Sequence, residues 1–489
     1  MKRVLTLPAL LVAFPLVAQE APKALSLQEA IETSLKNNLQ VGIAESNRDF
    51  TKAGVLLEEG SFDWNLGASV NVSKTTDTQF TNPTTQEKAT FFNRTATASV
   101  LKPFEWGGTF NATYAPKYSV SEAPSQTSSG KDFAYDGSFS ASYTQSLLRG
   151  FGREASATRL IVARNGAKVA DLSYQKAIID LVAATESAYW DVVFAKVNLD
   201  NKQQSLELAQ KQLKENEIRV QVGTLAPIEV TSAQATVAQR EQDIISAEAQ
   251  LLNAKDALIR ALYPNVNKPA AIDATDMPTV SPIAMEEPAS ERMAIEKRVE
   301  LKSAKLNLDS SNVQERAANN RLLPQLDASV GYTGGAAKAD KLSPVNSDLT
   351  GGKYPGYNVG LTFSIPIFNK AARGAQAQAR ANRRQTELTY KDQQLSIVLE
   401  VRTAYRNLEA AGKGVSAAEK TRVFREKDLE AEQKKFENGM STNFLVLSKQ
   451  NDLDSAKSNE LQARIGYAKA VTALEKAQGS LLEARKLSL

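Results

Sequence analysis

Residues 153–223 read REASATRLIVARNGAKVADLSYQKAIIDLVAATESAYWDVVFAKVNLDNKQQSLELAQKQLKENEIRVQVG, and they set the architecture of the whole chain. The stretch has no proline and, before its end, a single glycine at Gly166, and it is rich in residues that favour helix. A helix from Arg153 to Gln221 would be about 100 Å long, at a rise of about 1.5 Å per residue. Gly223, the last residue, supplies the left-handed conformation that commonly ends a helix. We therefore expect one exceptionally long helix that ends at a glycine tip.

A second stretch has the same composition and ends at a matching tip, Gly439. The other helices are expected over 27–57, 228–262, 291–320, 370–437 and 443–482. The return helix after the first tip has only half the outgoing length, and a proline-rich segment separates it from the next half-length helix. Two half-length helices placed end to end match one full-length helix. This predicts a long antiparallel helical barrel with a belt halfway along it.

The chain repeats itself. Leu-Gly-Ala-Ser-Val at 66–70 recurs as Leu-Asp-Ala-Ser-Val at 326–330, an offset of 260 residues, whereas the two tip glycines are 216 residues apart. The first copy therefore holds about 44 extra residues, which lie between Val70 and Tyr174. The predicted organisation is a signal peptide (1–18), a first structural repeat (19–263), an equatorial linker (264–290) and a second structural repeat (291–489).

Each copy also contains strand-like segments in which apolar residues alternate with Ser, Thr, Asn or Gly. These segments are 62–73, 133–144, 326–332 and 357–365. A polar face of small residues suits a hydrated lumen opposite a lipid face, although a soluble sandwich produces the same alternation. Two further segments, 95–101 and 109–118, lie in the extra residues. They are either additional barrel strands or a hairpin outside the barrel, and the sequence leaves both open.

The composition argues against catalysis. The 489 residues include no His and no Cys, which excludes a Ser-His-Asp or Cys-His nucleophile, the usual zinc ligands and any disulfide. We expect no enzymatic activity, no cofactor and no metal site. The formal net charge of +4 comes from charges of both signs spread along the chain, so we expect no nucleic-acid partner.

The N-terminus is typical of an exported protein. Lys2 and Arg3 precede an apolar core at 4–17, and Ala18 offers a small residue before cleavage, which predicts a secretory signal peptide. After Ala18 no apolar run reaches about 18 residues, so we expect no transmembrane helix.

Several motifs now combine with the repeat. They are the twin tips Ile218-Arg219-Val220-Gln221-Val222-Gly223 and Phe436-Glu437-Asn438-Gly439, the strand start Leu323-Pro324-Gln325-Leu326, and the strand ends 145–152 and 363–368. With them, essentially the whole mature chain resembles the outer-membrane efflux protein family, the TolC-like channel-tunnel proteins. The resemblance implies an α+β membrane protein: a trimeric outer-membrane β-barrel continued by a long periplasmic α-helical barrel, internally duplicated.

The same resemblance implies a function. The chain would be the outer-membrane channel of a tripartite efflux or type I secretion system, extending from the outer membrane into the periplasm. Its partners would be two further copies of itself, a periplasmic adaptor (membrane fusion) protein, an inner-membrane transporter and outer-membrane lipid. Two copies of the repeat with two strands each would give twelve barrel strands in three chains. Neither the substrate nor the particular pump and adaptor is specified by the sequence.

The resemblance also places a gate at the tips, near Gly223 and Gly439. The family's gate acid corresponds to Glu229 and its tip aromatic to Phe436, whereas its basic partner and paired acids fall on Ser441, Leu445 and Ser448. A salt-bridged lock and an acidic ring are therefore not expected. One hypothesis pairs Glu229 with a nearby Arg or Lys, such as Arg219, and another makes a hydrophobic constriction of Phe436 and Leu445. Glu229 could equally be a solvated acid at a helix start.

Two other functions fit parts of the sequence. An exported coiled-coil scaffold or adaptor without a pore would account for the helices, but it would not need duplicated strands with Ser/Thr faces. A carboxylate-based periplasmic hydrolase would need two converging acids, and no such pair stands out in the sequence.

Overall fold

A computed structural model of the chain describes residues 23–82, 85–122, 132–263, 272–281 and 286–487. The predicted signal peptide, 1–18, lies outside the described residues, as do 264–271 and 282–285 of the predicted linker.

Most of the described chain is helical. The helices are α1 (Leu27–Asn37), α2 (Leu39–Glu59), α3 (Arg153–Ser156), α4 (Thr158–Gln221), α5 (Ile228–Leu262), α6 (Glu287–Lys297), α7 (Val299–Asn320), α8 (Leu342–Thr350), α9 (Lys370–Glu437), α10 (Asn443–Gln478) and α11 (Leu481–Ala484). The long helices predicted before the two tips are α4, of 64 residues, and α9, of 68 residues. Among the described residues, no helix combines the length and apolar character needed to cross a membrane.

Four predicted helices are interrupted. The helix expected over 153–221 is divided at Ala157, and the one expected over 443–482 at Gly479 and Ser480. The helix expected over 27–57 is divided at Asn38, and the one expected over 291–320 at Arg298, where the backbone becomes extended for a single residue. Asn38 Nδ2 donates to Ala261 O (2.8 Å), and Arg298 Nη1 donates to Ala477 O (3.1 Å). Tertiary hydrogen bonds therefore stabilise the breaks at Asn38 and Arg298, which lie 260 residues apart.

The strands are β1 (Lys23–Leu25), β2 (Asn65–Asn82), β3 (Thr85–Pro103), β4 (Gly108–Glu122), β5 (Asp132–Ser146), β6 (Ile272–Ala274), β7 (Gln325–Gly335) and β8 (Tyr354–Ser364). Six of them form one sheet in the order β2-β3-β4-β5-β7-β8, and every neighbouring pair is antiparallel. The runs at 95–101 and 109–118, left open by the sequence, lie in β3 and β4 within this sheet. The first copy therefore contributes four strands to this sheet and the second contributes two, because the extra residues of the first copy add an interior pair.

The chain divides into two compact units, each built from segments of both predicted repeats. Unit 1 comprises Met1–Ile43, Gln175–Arg298 and Ser396–Leu489, and unit 2 comprises Ala44–Tyr174 and Val299–Leu395. This is a division in space, whereas the predicted repeats divide the chain along its length.

Unit 1 contains both tips and a small buried core around Tyr189. The parallel pair β1 and β6 lies beside this residue, whose side chain is fully buried. Its hydroxyl donates to Leu25 O (3.0 Å) and accepts from the amides of Thr275 (3.2 Å) and Asp276 (3.0 Å). One phenol thus ties both short strands to α4.

Unit 2 contains the six-stranded sheet and the adjoining helical segments. Ion pairs link its helices: Lys52 Nζ lies 2.8 Å from Asp171 Oδ1, and Arg164 Nη2 lies 2.8 Å from Glu59 Oε1. The short helix α8 packs on the sheet through Val345, which is fully buried.

Candidate functional site

The two tips end their long helices with the same backbone geometry. Gly223 has φ of +76° and Gly439 has φ of +72°, values that glycine adopts without steric cost. At the first tip, Thr224 N donates to Arg219 O (2.9 Å) and Gly223 N donates to Val220 O (3.0 Å). The second tip repeats this pattern through Met440 N and Gly439 N (2.8 and 3.1 Å). This pair of bonds is the Schellman motif, so the two tips are equivalent local structures.

The return helices start differently. The first, α5, starts at Ile228 after Pro227, which makes no side-chain cap, whereas Thr442 Oγ1 accepts from Leu445 N (3.4 Å) at the start of α10. Glu229 lies in the first turn of α5, where the helix dipole favours an acid.

The two helical hairpins meet through a buried polar contact near these starts. Asn443 is 1% exposed, and its Nδ2 donates to Glu229 Oε2 (3.2 Å). Gln212 of α4 donates to Asn443 Oδ1 (3.3 Å) and to Asn216 Oδ1 (3.0 Å). Among the described residues, the buried Nδ2 of Asn216 has no hydrogen-bond partner. The contact is thus centred on two buried asparagines and is incompletely satisfied.

Arg219 contacts the aromatic residue of the second tip. Its guanidinium carbon lies 4.8 Å from the centroid of the Phe436 ring, a cation–π geometry. Within one chain Asn443 bonds Glu229 and Phe436 contacts Arg219, and the pairing of Glu229 with a nearby Arg or Lys stays a prediction.

Phe436 itself packs into the second hairpin, against Leu429, Val446 and Leu453. Leu445 is 42% exposed. The ring therefore belongs to the interior of its own hairpin as well as to the contact with Arg219.

Ser441, where the family pattern has a basic residue, bonds an acid of its own hairpin. Its hydroxyl donates to Glu432 Oε1, and Lys435 Nζ lies 3.2 Å from Glu432 Oε2. The hydrogen bond from Ser441, together with the ammonium of Lys435, holds the pKa of Glu432 below its ordinary value. The carboxylate is therefore anionic and held in place at neutral pH.

Large apolar side chains at the tips are exposed in the single chain. They are Ile218, Val222, Ile228, Met440, Phe444 and Leu445. Scattered apolar residues are normal on a surface, but six exposed apolar residues at or beside the two tips form a concentrated group.

Sequence reasoning thus located the tips but missed most of the contacts between the hairpins. Besides Asn443 and Gln212, it missed Arg240 of α5, which is 9% exposed and lies 3.2 Å from Asp454 of α10. The helices α5 and α10 carry many other polar and charged residues, so the sequence gave no signal that marked these side chains. No group of three or more metal-binding side chains occurs in the described part of the chain.

The comparisons with known proteins agree with this fold. The family described as outer membrane efflux protein matches residues 117–262 and 292–480, more than half of the chain. The chain therefore belongs to the outer membrane efflux protein family. Outer membrane protein TolC of Vibrio cholerae serotype O1 is 26% identical over 428 residues, which are 86% of this chain and 91% of that protein.

Two further comparisons involve other channels. The pyoverdine export outer membrane protein OpmQ of Pseudomonas aeruginosa is 25% identical over 326 residues, 63% of each chain. The crystal structure of the outer membrane channel CmeC of Campylobacter jejuni has a TM-score of 0.65 at 15% identity, over 93% of this chain and 86% of that chain. The chain is accordingly an outer-membrane channel of an efflux system. Its relatives are transport channels rather than enzymes, which favours this function over a pore-less scaffold.

Proposed function

We propose that three copies of this chain form one channel of a tripartite efflux or type I secretion system, with the paired tips as its periplasmic gate. The buried contact of Glu229 with Asn443, beside two identical glycine-capped tips, is the observation that carries this proposal.

The open edges of the sheet support assembly with further copies of the chain. Its outer strands, β2 and β8, each have one edge without a partner strand among the residues that the structure describes, and their side chains include the exposed Leu66 and Val359. An open sheet edge is incompatible with lipid, because unpaired backbone groups there cost several kcal/mol each. A closed β-barrel made with neighbouring copies removes both edges and places the apolar face toward lipid.

The internal duplication is supported by paired local features. The helix breaks at Asn38 and Arg298 lie 260 residues apart, and the tips at Gly223 and Gly439 share one hydrogen-bond pattern. We infer two structural repeats, 19–263 and 291–489, with the linker 264–290 between them.

The gate is argued from the strength of the contact between the hairpins. A hydrogen bond to a charged group contributes about 1.5–3 kcal/mol, and a cation–π contact about 0.5–2 kcal/mol. The Glu229–Asn443 and Arg219–Phe436 contacts together then stabilise the closed tip by roughly 2–5 kcal/mol in each chain. The orphan donor of Asn216 works against closure, since a buried unsatisfied group costs about 1–3 kcal/mol. A closed tip of this kind is stable, yet the free energy of binding a partner protein is large enough to open it.

The exposed apolar patch at the tips supports the remaining partners. It suits docking of a periplasmic adaptor, which in turn connects the channel to an inner-membrane transporter. Patches of this kind mark protein–protein interaction sites more often than isolated apolar residues do.

The gate is tested by single-channel conductance of the purified trimer in planar bilayers. Glu229→Ala and Phe436→Ala each remove one contact, so we expect a larger conductance or a longer open time. Glu241→Ala, at an exposed acid further along α5, is the matched control and should leave both unchanged. If Glu229→Ala left the conductance unchanged, the gate role of this residue would be wrong.

The docking role is tested in cells. Phe444→Asp places a charge on the exposed patch, so we expect loss of transport while the purified trimer keeps its conductance. Leu252→Asp, at an exposed leucine of α5 away from the tip, is the control. Normal transport by Phe444→Asp would contradict the role of this patch in docking.

A further inference from the structure

We infer that β3 and β4 are part of the channel wall, so that three chains form a barrel of eighteen strands rather than twelve. This inference rests on the proposed three-copy channel and concerns its strand number and width. Within it, β8 of one copy pairs with β2 of the next.

The first support is the position of the two strands. β3 pairs with β2 over residues 85–101 and with β4 over 90–103. β4 in turn pairs with β5 over 108–121. Because β3 and β4 lie between β2 and β5, a wall that contains β2 and β5 in this pairing also contains them.

The second support is the register, which carries one face across all six strands. One row of directly paired residues is Leu66, Val100, Ala112, Ala141, Tyr332 and Tyr357. The adjacent row on the opposite face is Gly67, Ser99, Thr113, Ser140, Thr333 and Gly356. The first row is apolar and the second is small and mostly polar. β3 and β4 follow the same pattern as the other four strands, as expected of wall strands with one lipid face and one lumen face.

The third support is the direction of the edge strands. Six successive antiparallel strands leave β2 and β8 running in opposite directions. A neighbouring copy can therefore add its β2 to β8 in the antiparallel sense. Every pair of neighbouring strands in the ring is then antiparallel. Transmembrane barrels are built in this way, with an even total number of strands in bacterial single-chain examples.

The consequence is a wider channel mouth. Barrel diameter grows about linearly with strand number, so eighteen strands give about 1.5 times the diameter of twelve. The cross-section grows by about 2.25-fold on the same basis. This widening concerns the β-barrel, because β3 and β4 belong to the sheet.

The direct test is the strand count in an electron cryo-microscopy map of the full-length trimer in lipid nanodiscs. Eighteen strands in the wall confirm the inference. Twelve wall strands with the β3–β4 hairpin outside overturn it and leave the proposed channel intact. A chain that forms no closed ring overturns the proposed trimer as well, so the two failures are distinguishable.

A functional test uses a shortened variant. Replacing residues 75–132 with Asn-Gly leaves Lys74 opposite Phe133, two positions that share one level of the sheet in the full chain. Strand directions are preserved because two antiparallel strands are removed together, and Asn-Gly suits a two-residue hairpin. The largest polyethylene glycol that enters from the extracellular side should then fall in radius by about one third. An unchanged size limit in a correctly assembled variant overturns the inference, and a variant that does not assemble leaves the strand count of the full chain to decide.

Discussion

Glu186 provides the sharpest test of how this fold is held together. Its side chain is fully buried in unit 1 and accepts from Arg485 Nε (2.6 Å), Arg485 Nη2 (2.9 Å) and Thr472 Oγ1 (2.5 Å). These three bonds tie the residues after α11 to α4 and α10. Glu186→Gln keeps the shape of the side chain but removes its charge, so the guanidinium of Arg485 loses its main anionic partner.

The size of the effect follows from burial. Breaking a buried ion pair from one side costs about 3–5 kcal/mol, because the remaining charge stays desolvated. Arg485 keeps one other contact, with Glu475 Oε2 at 2.9 Å. Burial raises the pKa of Glu475, which makes it a weaker anionic substitute. We therefore expect local opening of residues 481–487 to become more favourable by about 3 kcal/mol, a factor of about 150 in population.

Amide hydrogen exchange of the C-terminal segment measures this opening directly. Exchange at residues 481–487 should accelerate by about two orders of magnitude in Glu186→Gln. Glu483→Gln is the control, because Glu483 pairs with Lys297 (2.5 Å) while its side chain is 66% exposed. An exposed pair contributes at most about 1 kcal/mol, so exchange should rise by less than about fivefold. Equal effects of the two substitutions would refute the assignment of stability to the buried pair.

Three further outcomes are expected. Gly223→Ala and Gly439→Ala each force alanine into a left-handed backbone conformation and should destabilise their tip by about 1–2 kcal/mol, measured as faster amide exchange there. As a control, Gly414→Ala at an exposed position within α9 should stabilise that helix slightly. The lowered pKa of Glu432 means that its contribution to tip stability is fully present above about pH 4.3 and is lost as pH falls through the lower folded value. A pH series of tip exchange should show this loss, and Glu432→Gln should abolish it. Tyr189→Phe removes an acceptor of the Thr275 and Asp276 amides. Because Thr275 N also donates to Leu25 O (3.3 Å), the protection of the Asp276 amide should fall more, by the equivalent of about 1 kcal/mol, and an unchanged Asp276 amide would contradict the role of the hydroxyl.

The sequence predicted best what local chemistry determines. The tips were identifiable because only glycine adopts their backbone conformation freely, and the alternation in β2, β5, β7 and β8 reflects a two-sided sheet. Whether β3 and β4 join that sheet is a matter of long-range pairing, which alternation within one strand does not encode.

The helix interruptions and the tip contacts could not be predicted from local sequence either, because they also depend on residues that are distant in the chain. Asn38 caps the start of α2 locally, since its Oδ1 accepts from Gln40 N (2.8 Å), but the tertiary bonds of Asn38 and Arg298 go to distant carbonyl groups that no local pattern reveals. Likewise, charge suggested a nearby Arg or Lys as the partner of Glu229, and it gave no indication that the fold also brings Asn443 to this acid.

The two unlike edges of the six-stranded sheet have a genetic consequence. Since each proposed ring needs three intact copies of both edges, one damaged chain spoils the two normal chains beside it. If a chain with a proline-disrupted β8 were made in equal amount with the normal chain, only about one eighth of the rings would be free of it. Such an allele would behave as dominant in a cell carrying both copies, whereas a one-chain pore would retain half of its normal channels.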